Sequence, residues 1–397
     1  ACMNAAAASR MAIGEALTNL VSVDVNLDRI ILSANWMGAC GVKGQDAALY
    51  DGVSAASSFC QELGVSIPVG KDSLSMKTSW KDQAGEDKTV VSPVSLVVSA
   101  AAPVYDIRNN LLPMFAESVR DSSLLLIDLG HGKDRLGGSV YSQVTQRFDS
   151  VTPDMEDPKE LKKFLELIRS LSAKGAILAY HDRSDGGLAA ALCEMMFASH
   201  VGVEIVADAL VSKDRTLNQA LFNEELGAVI QVARGRAAEV ERDFEAAGMG
   251  WSLKYLGNLT QDDHLNIYLE GKCVLSEDRV DLQKAWNEVS WQIARMRDNP
   301  ECADSEYELI SDKHNGGLVL TMGFDPEENL AAPFINTGVR PKVAILREQG
   351  VNSQNEMASA FLQAGFDAVD VHMTDLLEGR AKLADFVGLA ACGRFSH

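Results

Sequence analysis

The spacing of apolar and polar positions over the first 115 residues predicts one layered α/β unit. An Ala- and Leu-rich stretch with few helix breakers predicts an opening helix over residues 4–20. The pattern then predicts, in order, a strand at 29–34, a helix at 46–63 ended by Gly64, a strand at 65–69, a turn at 70–73 and a strand at 90–102. Strands interleaved with helices in this way indicate α/β layering and not an all-β sandwich.

Two further regions follow the same alternation. In the second region the predicted elements are a strand at 123–129, a helix at 159–173, a strand at 177–180 and a helix at 187–198. A helix at 280–297 and an acidic, weakly periodic connector at 298–339 lead to the third region. There, a strand at 343–346, a helix at 354–364 and a strand at 366–371 predict the start of an open parallel sheet.

Composition narrows the class of protein. A chain of 397 residues exceeds the usual size of a single core, and 47% of it is hydrophobic. The net charge of −20 argues against nucleic acid as a partner, because phosphate backbones are bound by clustered Lys and Arg. No apolar run approaches the length of about 18 residues that indicates a membrane-spanning helix. The seven cysteines form no Cys-x-x-Cys pair, which predicts free thiols in a cytoplasmic protein.

The strongest single segment for chemistry is the sequence HDRSDGG at residues 181–187, between a predicted strand and a predicted helix. Backbone N–H groups at such a junction attract anions, and the two glycines let a phosphate approach the backbone. Asp182 offers a hard oxygen ligand to Mg²⁺, and Ser184 offers a hydroxyl to a phosphate oxygen. The alternative is a tight turn in which Asp185 only caps the following helix.

Two other segments carry weaker signals. Glu15 and Asn19 are four residues apart and share one face of the opening helix, which makes them candidate oxygen ligands for Mg²⁺. The alternative for this pair is a solvated polar stripe. Gly70, Lys71 and Ser73 lie on the predicted turn after a strand and are candidates for gripping a phosphate. Their spacing is not that of a Walker A loop, and the alternative is a purely structural turn.

Five segments in a fixed order carry a resemblance. They are SANWMG at 33–38, IPVGKDSLSMKT at 67–78, HDRSDGG at 181–187, LFNEELG at 221–227 and RPKVAILREQGVN at 340–352. Over essentially the whole chain, this series resembles the large, single-chain formylglycinamide ribonucleotide amidotransferases (phosphoribosylformylglycinamidine synthases). In that family the synthetase core has two related halves, each like an aminoimidazole ribonucleotide synthetase subunit. This chain is similar to the second half.

The resemblance implies an α/β (α+β layered) fold with four regions. We expect a synthetase-like N-type domain at 1–115, a C-type domain at 116–279, a helical and extended connector at 280–340 and a truncated class I glutamine amidotransferase (flavodoxin-like) domain at 341–397. The implied activity is that of an ATP-dependent ligase of de novo purine biosynthesis. It converts formylglycinamide ribonucleotide, glutamine and ATP to formylglycinamidine ribonucleotide, glutamate, ADP and phosphate. ATP activates the formamide oxygen, and ammonia from glutamine then displaces phosphate.

Site residues are implied position by position. The Mg²⁺ ligands of this half of the family match Glu15, Asn19 and Asp182, and a contact to ATP or ADP matches Ser184.

In smaller relatives the loop that matches residues 70–73 contacts nucleotide, metal and substrate, which implies substrate binding by Gly70, Lys71 and Ser73. Lys71 replaces an Asn metal ligand of those relatives, so a metal role is not expected there.

Both ends of the chain look like cuts, so we expect catalytic groups outside it. Cys392 lacks the Gly-x-Cys-x-Gly elbow that exposes a nucleophile and is interpreted as a small residue at a strand end. The resemblance to class I glutamine amidotransferases implies a Cys-His-Glu triad, whose nucleophile elbow, His and Glu are expected beyond residue 397. Arg394 and His397 depart from the family's Gly-Gly-Phe-Ser-Tyr pattern. The glycine-rich ATP loop and catalytic His of the family belong to a missing N-terminal half of the same polypeptide. The chain alone is therefore expected to be inactive.

Two alternatives stay open beside the ligase. One is a scaffold in which the site around Asp182 holds a structural ADP that never turns over. The other is a different enzyme of the same superfold, such as a selenophosphate synthetase or a thiamine phosphate kinase. The PVGKDS stretch at 68–73 and the appended glutaminase start favour the ligase over this last alternative.

Overall fold

The computed structural model describes residues 2–119, 121–147, 151–313 and 315–393, so Arg394 and His397 lie outside the described residues. The chain divides into two compact units, Ala1–Asn315 and Gly316–His397. Each unit has its own β-sheet structure. The four domain boundaries expected from the sequence stay a prediction.

The first unit follows the predicted alternation of helices and strands. Its helices are α1 (Ala5–Leu20), α2 (Gln45–Leu63), α3 (Val140–Val144), α4 (Pro158–Ala173), α5 (Gly187–Ser199), α6 (Leu217–Phe222), α7 (Ala237–Ala246), α8 (Arg279–Arg297) and α9 (Pro300–Glu308). Its strands are β1 (Ile31–Met37), β2 (Ser66–Ser73), β3 (Lys77–Lys81), β4 (Asp87–Val91), β5 (Ser95–Ala101), β6 (Ser122–Asp128), β7 (Ala179–Asp182), β8 (Gly202–Val206), β9 (Gly227–Ala233), β10 (Leu253–Thr260), β11 (His264–Leu269) and β12 (Lys272–Asp278). Helices α1, α2, α4, α5 and α8 confirm the predicted helices to within two residues at each end.

The first sheet has the strand order β2-β1-β5, with β1 parallel to β2 and antiparallel to β5. Helix α1 begins after Asn4, whose side-chain oxygen accepts a hydrogen bond from the backbone N–H of Ala7. Helix α2 ends at Gly64 in the left-handed conformation, as predicted. Buried apolar side chains of both helices, among them Leu17 and Phe59, belong to one core with Leu32 of β1. The sheet and its two helices are therefore held together by apolar burial.

The predicted turn at 70–73 is wrong, because β2 continues to Ser73 and pairs with β1 over these residues. Gly70 lies opposite Ala34, and a Cβ on Gly70 would come within 2.4 Å of the Ala34 carbonyl oxygen. The glycine therefore permits a close approach of two strands, which is the other common reason for glycine in a strand.

The strand predicted at 90–102 is two strands, β4 and β5, separated around Pro93. Proline has no N–H to donate, so it ends a run of sheet pairing. Strand β4 pairs with β3 in a separate two-stranded antiparallel sheet that the sequence pattern did not predict. Its residues are mostly exposed and polar, so no apolar alternation marks it.

The second sheet is mixed and has the strand order β12-β11-β8-β10-β6-β9-β7. All seven residues of β6 are buried. Leu125 and Ile127 of β6 belong to the core that includes α1, α2, α4 and α7, whereas Leu124 and Leu126 belong to a second core with α5. This alternation is the period of two expected for a strand covered on both faces. Strand β7 lies at the edge of the sheet. It extends two residues beyond the predicted end at 180, so His181 and Asp182 of the HDRSDGG segment belong to the strand and the rest of the segment follows it.

The second unit confirms the predicted parallel sheet. Its elements are α10 (Ala332–Asn336), β13 (Lys342–Arg347), α11 (Gln354–Gln363), β14 (Asp367–His372), α12 (Met373–Leu377) and β15 (Gly388–Ala391). The strands are parallel in the order β14-β13-β15. Among the described helices of either unit, none is both long enough and apolar enough to cross a lipid bilayer.

Candidate functional site

A cavity of about 520 Å³ lies where α1, β5 and the loop after β7 meet in the first unit. Its polar lining consists of Glu15, Asn19, His181, Asp182 and Ser184. Asp182 is buried, whereas Glu15 and Asn19 remain exposed at the rim. The cavity therefore joins a helix that packs beside the first sheet to the edge strand of the second sheet.

Two hydrogen bonds fix this meeting of α1 and β7. The buried Tyr180 hydroxyl donates to the backbone carbonyl of Thr18 at 2.6 Å. The Asn19 side-chain amide donates to Asp182 Oδ1 at 3.3 Å. These contacts bridge about 160 residues of sequence, so the lining is a product of tertiary folding.

Four residues predicted from the sequence, Glu15, Asn19, Asp182 and Ser184, thus line one cavity. Their roles as metal ligands and nucleotide contact stay predictions.

Gly70, Lys71 and Ser73 lie elsewhere, on β2, which is separated from β5 by β1. There the Lys71 ammonium donates to the Ser73 hydroxyl at 3.1 Å. Their predicted role in substrate binding stays a prediction as well.

Arg183 supports the loop after β7 through buried contacts. No role for this residue was predicted from the sequence. Its side chain is fully buried and donates to Asp128 Oδ1 at 2.6 Å and to the carbonyl oxygens of Glu225 at 2.6 Å and Leu226 at 3.1 Å. Burial raises the pKa of Asp128, but the Arg183 charge and hydrogen bonds outweigh this effect and keep the pKa below its ordinary value. Arg183 thereby anchors the loop to the end of β6 and to the residues just before β9.

The start of α5 is not capped by a side chain, so the alternative in which Asp185 caps this helix is not the arrangement found. Gly186, in the left-handed conformation, is the capping residue, and its N–H donates to the carboxylate of Glu224 at 2.9 Å. A Cβ on Gly187 would come within 2.5 Å of the Asn223 carbonyl oxygen. Gly186 therefore allows the left-handed backbone conformation, and Gly187 allows the close approach of the Asn223 backbone.

Carboxylates concentrate negative charge beside the cavity. Although Glu15 is exposed as a whole residue, protein atoms around its carboxyl displace part of the surrounding water. This desolvation, followed by the charges of Asp185, Asp182 and Glu224, raises the pKa of Glu15 to about 7. Carboxylate and amide oxygens are donor types that suit a hard divalent cation such as Mg²⁺, and in this structure the Asn19 amide directs its nitrogen, not its oxygen, at Asp182. Within the described ranges, no three His, Cys, Asp or Glu side chains form a metal-binding group by themselves.

His181 also lines the cavity. Its Nε2 lies 3.0 Å from a carboxylate oxygen of Glu194, and its Nδ1 lies 2.7 Å from the Asp182 carbonyl oxygen. Burial lowers the pKa of His181, but the hydrogen bonds to Asp182 and Glu194 outweigh burial and raise the pKa to about 10. A protonated imidazole donates from both nitrogens, which matches these two acceptors.

The raised pKa of Glu15 predicts a pH-dependent stability difference. Because the folded chain binds this proton more tightly than the ordinary value of 4.5 implies, the contribution of Glu15 to stability falls as pH rises from 4.5 to about 7. We expect Glu15→Gln to be more stable than the wild type at about pH 8, and to lose that advantage at about pH 5. All five tryptophans lie in the first unit, so urea unfolding followed by tryptophan fluorescence measures the difference.

Glu166→Gln is the matched control, since Glu166 is exposed on α4 and does not line the cavity. A Glu15→Gln advantage that stays constant over this pH range would contradict the assignment.

Three family models match consecutive parts of the chain. The FGAR-AT PurM_N-like domain matches residues 1–103, the C-terminal domain of AIR synthase related proteins matches residues 122–270, and the CobB/CobQ-like glutamine amidotransferase domain matches residues 340–397. Together with the sheets described above, these matches confirm the predicted fold class: AIR synthase-like domains followed by glutamine amidotransferase sequence.

Several solved structures match the chain at low sequence identity. PurLQS from Thermotoga maritima matches with a TM-score of 0.50 and 11% identity, over 92% of this chain and 48% of that chain. PurL from T. maritima complexed with FGAR matches with a TM-score of 0.48 and 12% identity, over 70% of this chain and 43% of that chain. HypE in a HypE–HypF complex matches with a TM-score of 0.49 and 19% identity, over 68% and 84% respectively. The chain thus spans less than half the length of these two PurL proteins.

Proposed function

We propose that the chain is part of a phosphoribosylformylglycinamidine synthase, the ATP-dependent ligase that uses glutamine as nitrogen donor in purine biosynthesis. The observation that carries the proposal is the convergence of Glu15, Asn19, Asp182 and Ser184 on one cavity. The order of the three domain matches supports it, since an FGAR-AT-type domain precedes the AIR synthase-type and glutaminase-type domains.

In this proposal the cavity holds a magnesium-bound adenine nucleotide. When bound, Mg²⁺ neutralises phosphate charge and orients the phosphate groups. Glu15 and Asp182 supply carboxylate oxygens, Asn19 supplies its amide oxygen after a flip of the amide, and Ser184 donates its hydroxyl to a phosphate oxygen. Desolvation and, after it, the neighbouring carboxylates raise the pKa of Glu15, and a divalent cation would offset the negative charge of those carboxylates.

Formylglycinamide ribonucleotide, ATP and glutamine-derived ammonia are the proposed substrates of the whole enzyme. The remaining synthetase half and the rest of the glutaminase domain are its proposed further parts. The Gly70–Ser73 region of β2 is the part of this chain proposed to contact the phosphorylated substrate.

The placement of these groups favours one role for the nucleotide. Lys71 and Ser73 lie on β2, two strands away from β5, and do not line the cavity. A nucleotide that transfers phosphate has to lie next to the acceptor atom, at about 3–3.5 Å. The separation therefore favours an ADP that is retained as part of the structure.

Nucleotide binding is tested by thermal unfolding of the chain with ADP and Mg²⁺. Saturation at 100 times the dissociation constant is expected to stabilise the folded state by about 2.7 kcal/mol. Chelation of Mg²⁺ with EDTA should remove most of this gain. An unfolding curve that ADP and Mg²⁺ leave unchanged would contradict the proposal.

A radiolabelled ADP exchange measurement then separates the two roles. Slow exchange that formylglycinamide ribonucleotide and ammonia do not accelerate indicates a structural nucleotide, whereas accelerated release indicates turnover at this cavity.

A further inference from the structure

Glu194 lies on α5, outside the HDRSDGG loop, and does not line the cavity. One of its carboxylate oxygens is 3.0 Å from His181 Nε2. The other accepts a hydrogen bond from the Trp286 indole N–H of α8 at 3.3 Å. The carboxylate is therefore held from two sides.

We propose that Glu194 is a positioning residue for the cavity, acting through His181 on the carboxylate of Asp182. The inference rests on the proposed function, because it assigns Glu194 to the binding of the same Mg–nucleotide.

The contacts form a continuous path. Glu194 fixes the Nε2 side of the imidazole, which turns Nδ1 toward Asp182, 2.7 Å from its carbonyl oxygen and 3.6 Å from its carboxylate Oδ1. Asn19 contacts the same Oδ1 from α1 at 3.3 Å. The Asp182 carboxylate is thus oriented from both sides, and only one of those sides depends on Glu194.

Loss of Glu194 would leave the imidazole held only through Nδ1, by its contact with the Asp182 carbonyl oxygen, so that its orientation would be less firmly fixed. The Asp182 carboxylate would then keep its hydrogen bond from Asn19, but the position of its other neighbour, the His181 imidazole, would be less well defined. Groups that orient metal ligands through one intermediate typically change metal affinity by about 10–100-fold. The Mg–nucleotide affinity, and not the fold, should therefore respond most strongly to Glu194.

The test is calorimetric titration of the full chain with ADP in the presence of Mg²⁺. We expect Glu194→Ala to weaken binding about 10-fold or more. Glu194→Asp should weaken binding similarly, because the shorter side chain withdraws the carboxylate from His181 without removing charge. This variant replaces Glu194→Ala in the test if the alanine variant does not fold. Glu194→Gln should bind close to the wild type, since its amide oxygen can still accept from His181.

Glu166→Ala is the control for loss of a helical carboxylate and should leave binding unchanged. Wild-type affinity in both Glu194→Ala and Glu194→Asp, or an equal loss in Glu166→Ala, overturns the positioning role while leaving the proposed function intact. Absence of binding by the wild-type chain contradicts the proposed function itself, and the positioning role with it.

Discussion

Replacement of Asp182 by alanine is expected to abolish the stabilisation of the chain by ADP and Mg²⁺. Asp182 is the most buried of the candidate ligands. Its carboxylate is contacted by Asn19 of α1 and lies 3.6 Å from His181 Nδ1. Without the Asp182 carboxylate, Glu15 would be the one charged oxygen donor left among the candidate ligands, and it is exposed at the rim of the cavity. We therefore expect the full gain of about 2.7 kcal/mol at 100 times the wild-type dissociation constant to disappear.

Thermal unfolding with and without ligand measures this effect, and each variant is compared with its own ligand-free curve. Asp214→Ala is the matched control, because Asp214 is exposed and lies outside the cavity lining. It should keep the whole ligand-induced shift. A Mg–ADP shift of wild-type size in Asp182→Ala would show that the nucleotide does not depend on this carboxylate.

Arg183→Met is expected to cause the largest loss of stability. The variant keeps most of the side-chain volume but leaves Asp128 as a buried carboxylate without its cation. Breaking one partner of a buried ion pair typically costs about 3–5 kcal/mol, because the remaining charge is left uncompensated. The free energy of unfolding of the first unit, followed by tryptophan fluorescence in urea, should fall by about this amount.

A double variant separates the charge effect from the loss of packing. Arg183→Met combined with Asp128→Asn removes the uncompensated charge, so part of the stability should return. Arg234→Ala is the exposed comparison, since Arg234 pairs with Asp121 where both side chains are more than half exposed. That pair should contribute no more than about 1 kcal/mol. Equal losses from Arg183→Met and Arg234→Ala would disprove the anchoring role of Arg183.

Local sequence pattern located two of the elements that line the cavity, α1 and β7, whereas β5 was predicted only as part of a longer strand at 90–102. The helical period placed Glu15 and Asn19 on one face, and the apolar run before HDRSDGG located the strand whose end presents Asp182. Both patterns involve residues that are close in the sequence, so they can be identified without knowledge of the tertiary structure.

The contacts that support the residues lining the cavity could not be predicted from local sequence pattern. Arg183 and Asp128 are 55 residues apart, and Trp286 and Glu194 are 92 apart, so no local period relates them. Gly70 shows the same limit, because a glycine after an apolar strand fits a turn as well as a close strand approach. Only the position of Ala34 on β1 distinguishes the two.

The Tyr180–Thr18 hydrogen bond joins α1 to β7, although the candidate ligands on α1 and those at the end of β7 lie on opposite sides of the stretch that links the two sheets. A protease nick or a gene split in that stretch would leave one piece with Glu15 and the other with Asp182. Neither piece alone would retain the nucleotide, whereas mixing the two would recover binding only as they reassociate. The ligand would then act as a reporter of complementation between the fragments.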